Sequence, residues 1–246
     1  MPIQVSAKSD KGKVRTANED SFGIFPEGSL FIVADGMGGH KAGEVASKLA
    51  VETTYNALRV KKQPDDSRLE QISHYLNDAI QKANLKIFEE GKKKPETTGM
   101  GTTVVVAWLH QNNASIGYVG DSRAYLLRKS NLRQLTSDHS LVNDYVTKGI
   151  LQPDEVEHHP LKHVLSRAVG TQEHVEADII NLPLQSDDLL LLCTDGLTNM
   201  LQKDEMENLL NGPEDLEKKS QLLIDLANDH GGADNITLLL IQFQNP

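Results

Sequence analysis

The chain is cut into short apolar runs, each too short for an ordinary helix and three of them followed within two residues by an aspartate, Asp35, Asp121 or Asp195. Leu30-Phe31-Ile32-Val33-Ala34 and Leu189-Leu190-Leu191-Leu192-Cys193 are continuous, while others alternate with period two. Such runs read as half-buried or fully buried strands. They place strands at Ile3 to Ala7, Ser21 to Phe25, Ser29 to Ala34, Thr102 to Leu109, Ala114 to Gly120, Ala124 to Arg128, Val175 to Leu182, Asp188 to Thr194 and Asn235 to Phe243. Two stretches change period. Ala42, Val45, Ala46, Leu49 and Thr53 recur at three- and four-residue steps, as do Leu69, Ile72, Leu76, Ala79, Ala83 and Ile87, which predicts amphipathic helices. Further helices fit Leu141 to Lys148, Lys203 to Leu210 and Glu214 to Asp229, the last starting near Pro213. Strands and helices do not alternate regularly, so a doubly wound parallel sheet is excluded and the class is α+β. Gln63 to Ser67 and Gly91 to Gly99 read as polar connectors, and 137–170, polar and His-bearing, as a mobile flap. One domain spans 1–246.

Charge narrows the partners. Lys and Arg number 25 against 35 Asp and Glu, a formal net charge of -10. Nucleic acid and anionic membranes are polyanions, so neither is expected to bind. Aromatics at 4% leave few platforms for stacking single-stranded bases. Cys193 is the only cysteine, which excludes an internal disulfide and a thiolate zinc cluster, and its apolar run reads as core. No segment reaches the roughly 18 apolar residues of a membrane span, and residues 1–15 lack the apolar stretch of a signal peptide. A cytoplasmic monomer is expected.

The chemistry lies where strands end. Asp35-Gly36 closes one apolar run, Asp195-Gly196 another, Asp121 a third, and Asp234 opens the final strand; Glu19 and Asp20 precede an early one. Any single Asp-Gly reads first as a turn. As a set, carboxylates on rigid strand ends can converge on one point, and hard cations such as Mg²⁺ and Mn²⁺ take oxygen ligands. The glycine-rich run from Asp35 to Gly43 lacks the dinucleotide spacing, and Glu44 stands where a phosphate loop needs lysine. Arg15 in isolation reads as a surface arginine, although a guanidinium can hold two phosphoryl oxygens.

Together these residues resemble the metal-dependent type 2C protein phosphatases, in particular their compact bacterial members. The resemblance rests on Arg15-Thr16-Ala17-Asn18-Glu19-Asp20, Asp35-Gly36-Met37-Gly38-Gly39-His40, Gly101-Thr102-Thr103, Val119-Gly120-Asp121-Ser122-Arg123, Asp138-His139-Ser140, Ser166-Arg167-Ala168-Val169-Gly170, Cys193-Thr194-Asp195-Gly196-Leu197 and Asp234-Asn235-Ile236-Thr237. It implies two packed antiparallel β-sheets flanked by α-helices, a four-layer αββα sandwich. It also implies phosphoserine and phosphothreonine hydrolysis by a hydroxide that two Mn²⁺ or Mg²⁺ ions activate. Asp35 would bridge the ions, Asp195 and Asp234 would complete one site, and Glu19 and the Gly36 carbonyl would serve the other. Asp20 would orient water, Asp121 would hold a third, weaker ion, and Arg15 would hold the substrate phosphate.

The chain departs from the family's eukaryotic members at Met37, where they carry a histidine proposed as general acid; His40 is the candidate proton donor here. Two rival readings remain open, a catalytically silent phosphoprotein-binding relative and a phosphatase of small metabolites. Phosphorylated proteins, including a cognate serine/threonine kinase, are the expected partners.

Overall fold

The computed structural model describes residues 3–38, 41–61, 69–156 and 159–244. Its strands are β1 (Ile3–Asp10), β2 (Asp20–Phe25), β3 (Leu30–Met37), β4 (Gly101–Thr102), β5 (Val104–His110), β6 (Asn113–Val119), β7 (Arg123–Arg128), β8 (Asn131–Gln134), β9 (Asp178–Pro183), β10 (Leu189–Cys193) and β11 (Ile236–Phe243). Its helices are α1 (Lys41–Leu58), α2 (Leu69–Gly91), α3 (Leu141–Thr147), α4 (Asp195–Thr198), α5 (Lys203–Leu210) and α6 (Leu216–Asp229). Among the described residues one antiparallel sheet runs β1-β11-β10-β7-β8, and a second runs β2-β3-β5-β6-β9 with β4 beside β3.

Period-two alternation sorts each central strand between two cores. On β3, Phe31 and Val33 face the other sheet, while Leu30, Ile32 and Ala34 pack with α1 and α2. On β10, Leu190 and Leu192 join the inter-sheet core, while Leu189, Leu191 and Cys193 pack with α4, α5 and α6. Both faces of these strands are therefore apolar, which explains their unbroken runs. The result is four layers, helix, sheet, sheet, helix. Burying one leucine such as Leu192 contributes roughly 1.5–3 kcal/mol.

Several expectations shift. Thr102 to Leu109 is not one strand, because Thr103 steps out of the ladder: its hydroxyl accepts from Asp35 N–H at 2.9 Å and its N–H donates to Asp35 O at 2.9 Å. Val175 to Leu182 becomes strand only at Asp178, since α2 side chains take the earlier donors, Gln81 from Val175 N–H and Asn77 from Ala177 N–H. β8 is unheralded in sequence, with only Leu132 buried. Its exposed edge is blunted where Glu207 accepts from Leu132 N–H at 2.6 Å. Asp35-Gly36 is no turn, because β3 continues to Met37, and Asp195-Gly196 opens α4 instead. The final helix begins at Leu216 with Asp215 as its cap, accepting from Lys218 N–H at 2.8 Å. The connector at 63–67 lies outside the described residues. The flap carries α3 and is anchored by bridges Thr102–Val169 and Ser140–Leu165.

In this topology the start of β2, the ends of β3, β6 and β10 and the start of β11 all lie at one end of the sandwich. The acids expected from the sequence, Glu19, Asp20, Asp35, Asp121, Asp195 and Asp234, sit at or beside these strand ends.

Candidate active site

Arg15, Glu19, Asp35, Gly36, Asp121, Asp195 and Asp234 line one cleft of about 770 Å³, with Met37, Thr103, Asn199 and Asn235 beside them. From the flap side Lys162, His163 and Arg167 close its wall. Asp20 lies behind this surface, 8% exposed. His40 lies outside the described residues.

The two strands that bear Asp20 and Asp35 are paired so that these residues stand directly opposite each other. Like charges at such a pair destabilise a sheet. Burial raises the Asp35 carboxyl well above its ordinary range, and Asp20, Asp195, Asp121 and Asp234 raise it further. Burial likewise pushes Asp20 up to about 7, opposed by hydrogen bonds from Thr237 and Thr194 and aided by Asp195 and Asp234. Asp121 reaches about 7, through burial first and then Asp195 and Asp138. Asp195 is raised by burial and by Asp234, against hydrogen bonds with Asp35 and Asn199. A set of acids whose proximity and burial disfavour ionisation is a set that a cation would stabilise.

Local structure fixes each donor. Thr194 Oγ1 donates to Asp20 Oδ2 at 2.9 Å and accepts from Thr237 N–H at 3.0 Å, while Asp20 Oδ1 is buried without a hydrogen-bond partner among the described residues. Asn199 Nδ2 donates to Asp195 Oδ2 at 3.0 Å. Asn235 N–H donates to Asp234 Oδ1 at 2.8 Å, leaving Oδ2 to the Arg15 guanidinium at 2.7 Å. Gly36 permits a close approach that no side chain would allow, because a Cβ there would strike the Gly43 carbonyl and the Glu19 backbone. A Cβ on Gly43 would in turn strike the Glu19 carboxylate. These two glycines thus seat Glu19 between β3 and the first turn of α1.

The donors are all oxygens with an excess of negative charge, and one buried oxygen has no partner among the described residues, which fits a hard divalent cation. As placed, no three described His, Cys, Asp or Glu side chains form a finished coordination shell. The arrangement is an open ring of acids, with Arg15 on one Asp234 oxygen. Beside Asp121 a second cleft of about 280 Å³ includes Asp138, but that carboxylate is engaged by Arg123 at 2.7 to 3.1 Å.

Sequence reasoning missed Asn199, Lys162 and His163. Asn199 lies on no motif, and the flap residues come from a segment without periodicity. Asn235 and Thr194 belong to the quoted motifs, but their hydrogen-bonding roles emerge only from the fold.

Comparison with known proteins agrees with this geometry. Residues 12–226 match the family described as protein phosphatase 2C. The serine/threonine phosphatase Stp of Listeria welshimeri is 42% identical over 238 residues, covering 96% of this chain and 94% of that protein. The solved S. agalactiae serine/threonine phosphatase superposes with a TM-score of 0.91 at 36% identity, covering 99% of this chain and 100% of that one. The catalytic domain of the phosphatase PstP, solved in complex with two manganese ions, gives a TM-score of 0.86 at 32% identity over 99% of each chain. With two antiparallel sheets between helices and a ring of strand-end acids at one end, the chain belongs to the protein phosphatase 2C family, as a serine/threonine phosphatase of the bacterial PPM type.

Proposed function

We propose that this phosphatase hydrolyses phosphoserine and phosphothreonine in proteins by direct attack of water on phosphorus, at two divalent cations held by the ring of acids. The observation that carries the reading is the buried Asp20–Asp35 pair with Asp195 and Asp234 around it, whose charges oppose one another unless cations offset them. Asp35, Asp195 and Asp234 would hold one ion, and Asp35, Glu19 and the Gly36 carbonyl the other, with Asp121 toward a third. When bound, such ions acidify water and offset phosphoryl charge.

The remaining steps belong to the chain's own side chains. Arg15 leaves Asp234 Oδ2 and takes two phosphoryl oxygens with its planar fork, while Asp234 Oδ1 keeps its bond from Asn235. Asn199 fixes the Asp195 carboxylate, and Asp20, held by Thr194, orients the attacking water. Cys193 is buried and its thiol is pushed up to about 12, so it supplies no nucleophile and no cysteinyl intermediate forms. Met37 lines the cleft but cannot donate a proton. His163 faces the same cleft and, with His40, is the candidate donor to the leaving oxygen.

The test is phosphate release from a phosphothreonine peptide with Mn²⁺, with and without chelator, by wild type and Asp195→Ala. Release that needs metal and falls about a thousandfold or more in the variant is expected, in keeping with loss of a catalytic metal ligand. Faster turnover of sugar phosphates than of the peptide, or release that ignores chelator, would overturn the proposal.

A further inference from the structure

Arg15 is borne on the segment between β1 and β2, which has little packing of its own; Val14 beside it is 66% exposed. Beside the Gly12 N–H bond to Asp10 Oδ1 and the ion pairs Lys13–Asp229 and Arg15–Asp234, two further anchors hold this segment. One is the Gly232 carbonyl, which accepts from Lys13 N–H at 2.8 Å and Val14 N–H at 3.3 Å. The other is the side chain of Asn235, 5% exposed. Its Nδ2 donates to Lys11 O and to Ala17 O, both at 2.9 Å, and its Oδ1 accepts from Glu19 N–H at 2.8 Å. One carboxamide nitrogen therefore ties both ends of segment 11–17 together and leaves Arg15 near its apex.

No other residue type offers this set. Aspartate has the shape but no donors, leucine has neither donor nor acceptor, and glutamine is a methylene longer. The same residue directs its backbone N–H to Asp234 Oδ1, so it orients the carboxylate that Arg15 pairs with. Its carbonyl also lies where a Cβ on Gly196 would fall, which packs it against the start of α4 beside Asp195.

We infer that Asn235 is a positioning residue for phosphate recognition: its carboxamide closes segment 11–17 into a ring that sets the reach of Arg15 toward the phosphoryl group. The inference rests on the reading of Arg15 given under the proposed function. An exposed segment without such a tie samples many conformations, and misplacing a binding group by about 1 Å weakens a reaction severely. Asn235 thus acts through Arg15.

The experiment compares wild type, Arg15→Ala, Asn235→Ala and the double variant on a phosphothreonine peptide at saturating Mn²⁺, together with amide hydrogen exchange of the metal-free proteins. Asn235→Ala should raise KM about tenfold while kcat falls less, as expected for lost ground-state binding. The double variant should match Arg15→Ala within about twofold, because the two residues act as one unit. Exchange across 11–18 should quicken about tenfold or more, with β3, β10 and β11 unchanged. Multiplied losses in the double variant, or unchanged exchange in the segment, would overturn the inference. So would collapse of protection in all three strands in both Asn235→Ala and the shape-preserving Asn235→Asp, since Asn235 would then serve the fold. An Arg15→Ala enzyme with unaltered KM would instead sink the phosphate role of Arg15, recognisable because segment protection still separates Asn235→Ala from wild type.

Discussion

Replacing Asp20 by Asn tests whether the acid ring is under electrostatic load. Burial holds the Asp20 carboxyl at about 7 against an ordinary 3.8. A carboxyl raised on folding binds its proton more tightly in the native state, so stability is greatest below the unfolded value and is lost as pH rises toward the folded one. At about 1.36 kcal/mol per pH unit, the loss for this group approaches 4 kcal/mol in metal-free protein by about pH 7.5. Asparagine carries no charge and its oxygen can still accept from Thr194 Oγ1, which now bonds Asp20 Oδ2. Its NH₂ replaces Oδ1, which has no partner among the described residues, and costs about 1–3 kcal/mol if it finds no acceptor. The variant should therefore be about 1–3 kcal/mol more stable than wild type in chelator near pH 7.5, an advantage that shrinks or reverses near pH 5. Urea unfolding with chelator at about pH 5, 6 and 7.5 reads this directly, and with a slope of about 2–3 kcal/mol per molar the midpoint difference moves by about 1 M across the range. Identical pH dependence in the two proteins would refute the electrostatic reading of the pair.

Two further expectations follow from the same packing. Arg123→Met leaves Asp138 without its bidentate partner and should cost about 2–4 kcal/mol by urea unfolding, somewhat less than a fully buried pair because both groups keep some solvent contact; adding Asp138→Leu should return most of the loss. Gly43→Ala places a methyl against the Glu19 carboxylate and should weaken Mn²⁺ binding in calorimetry by about tenfold or more, in the range for a displaced ligand support.

The sandwich was readable in the chain because its central strands are buried on both faces. Runs such as Leu189 to Cys193 are too short for an ordinary helix and too apolar for a surface loop, so they read as buried strands. β8 was not readable, since Asn131-Leu132-Arg133-Gln134 owes its strand state to pairing with β7 rather than to its own residues. The acids were legible as a set because they stand at strand ends, but Asp35-Gly36 misled locally. There the glycine serves a close approach to Gly43, which only the folded chain displays. His163 and Lys162 reach the cleft from 159–164, where no periodic pattern announces a direction. Asn235 shows the same limit from another side: its partners Lys11 and Ala17 are 224 and 218 residues distant.

The acid ring straddles the seam between the layers. Asp20 and Asp35 stand on one sheet, while Asp195 and Asp234 adjoin the ends of β10 and β11 on the other. Their separation is therefore a property of the apolar filling between the sheets, where Phe31, Val33, Leu192 and Leu239 meet. Close-packed interiors yield little and pass strain along. That hydrocarbon layer works as a spacer for the chemistry at its rim, so trimming a methyl group deep in the seam retunes the distance between carboxylates it never touches.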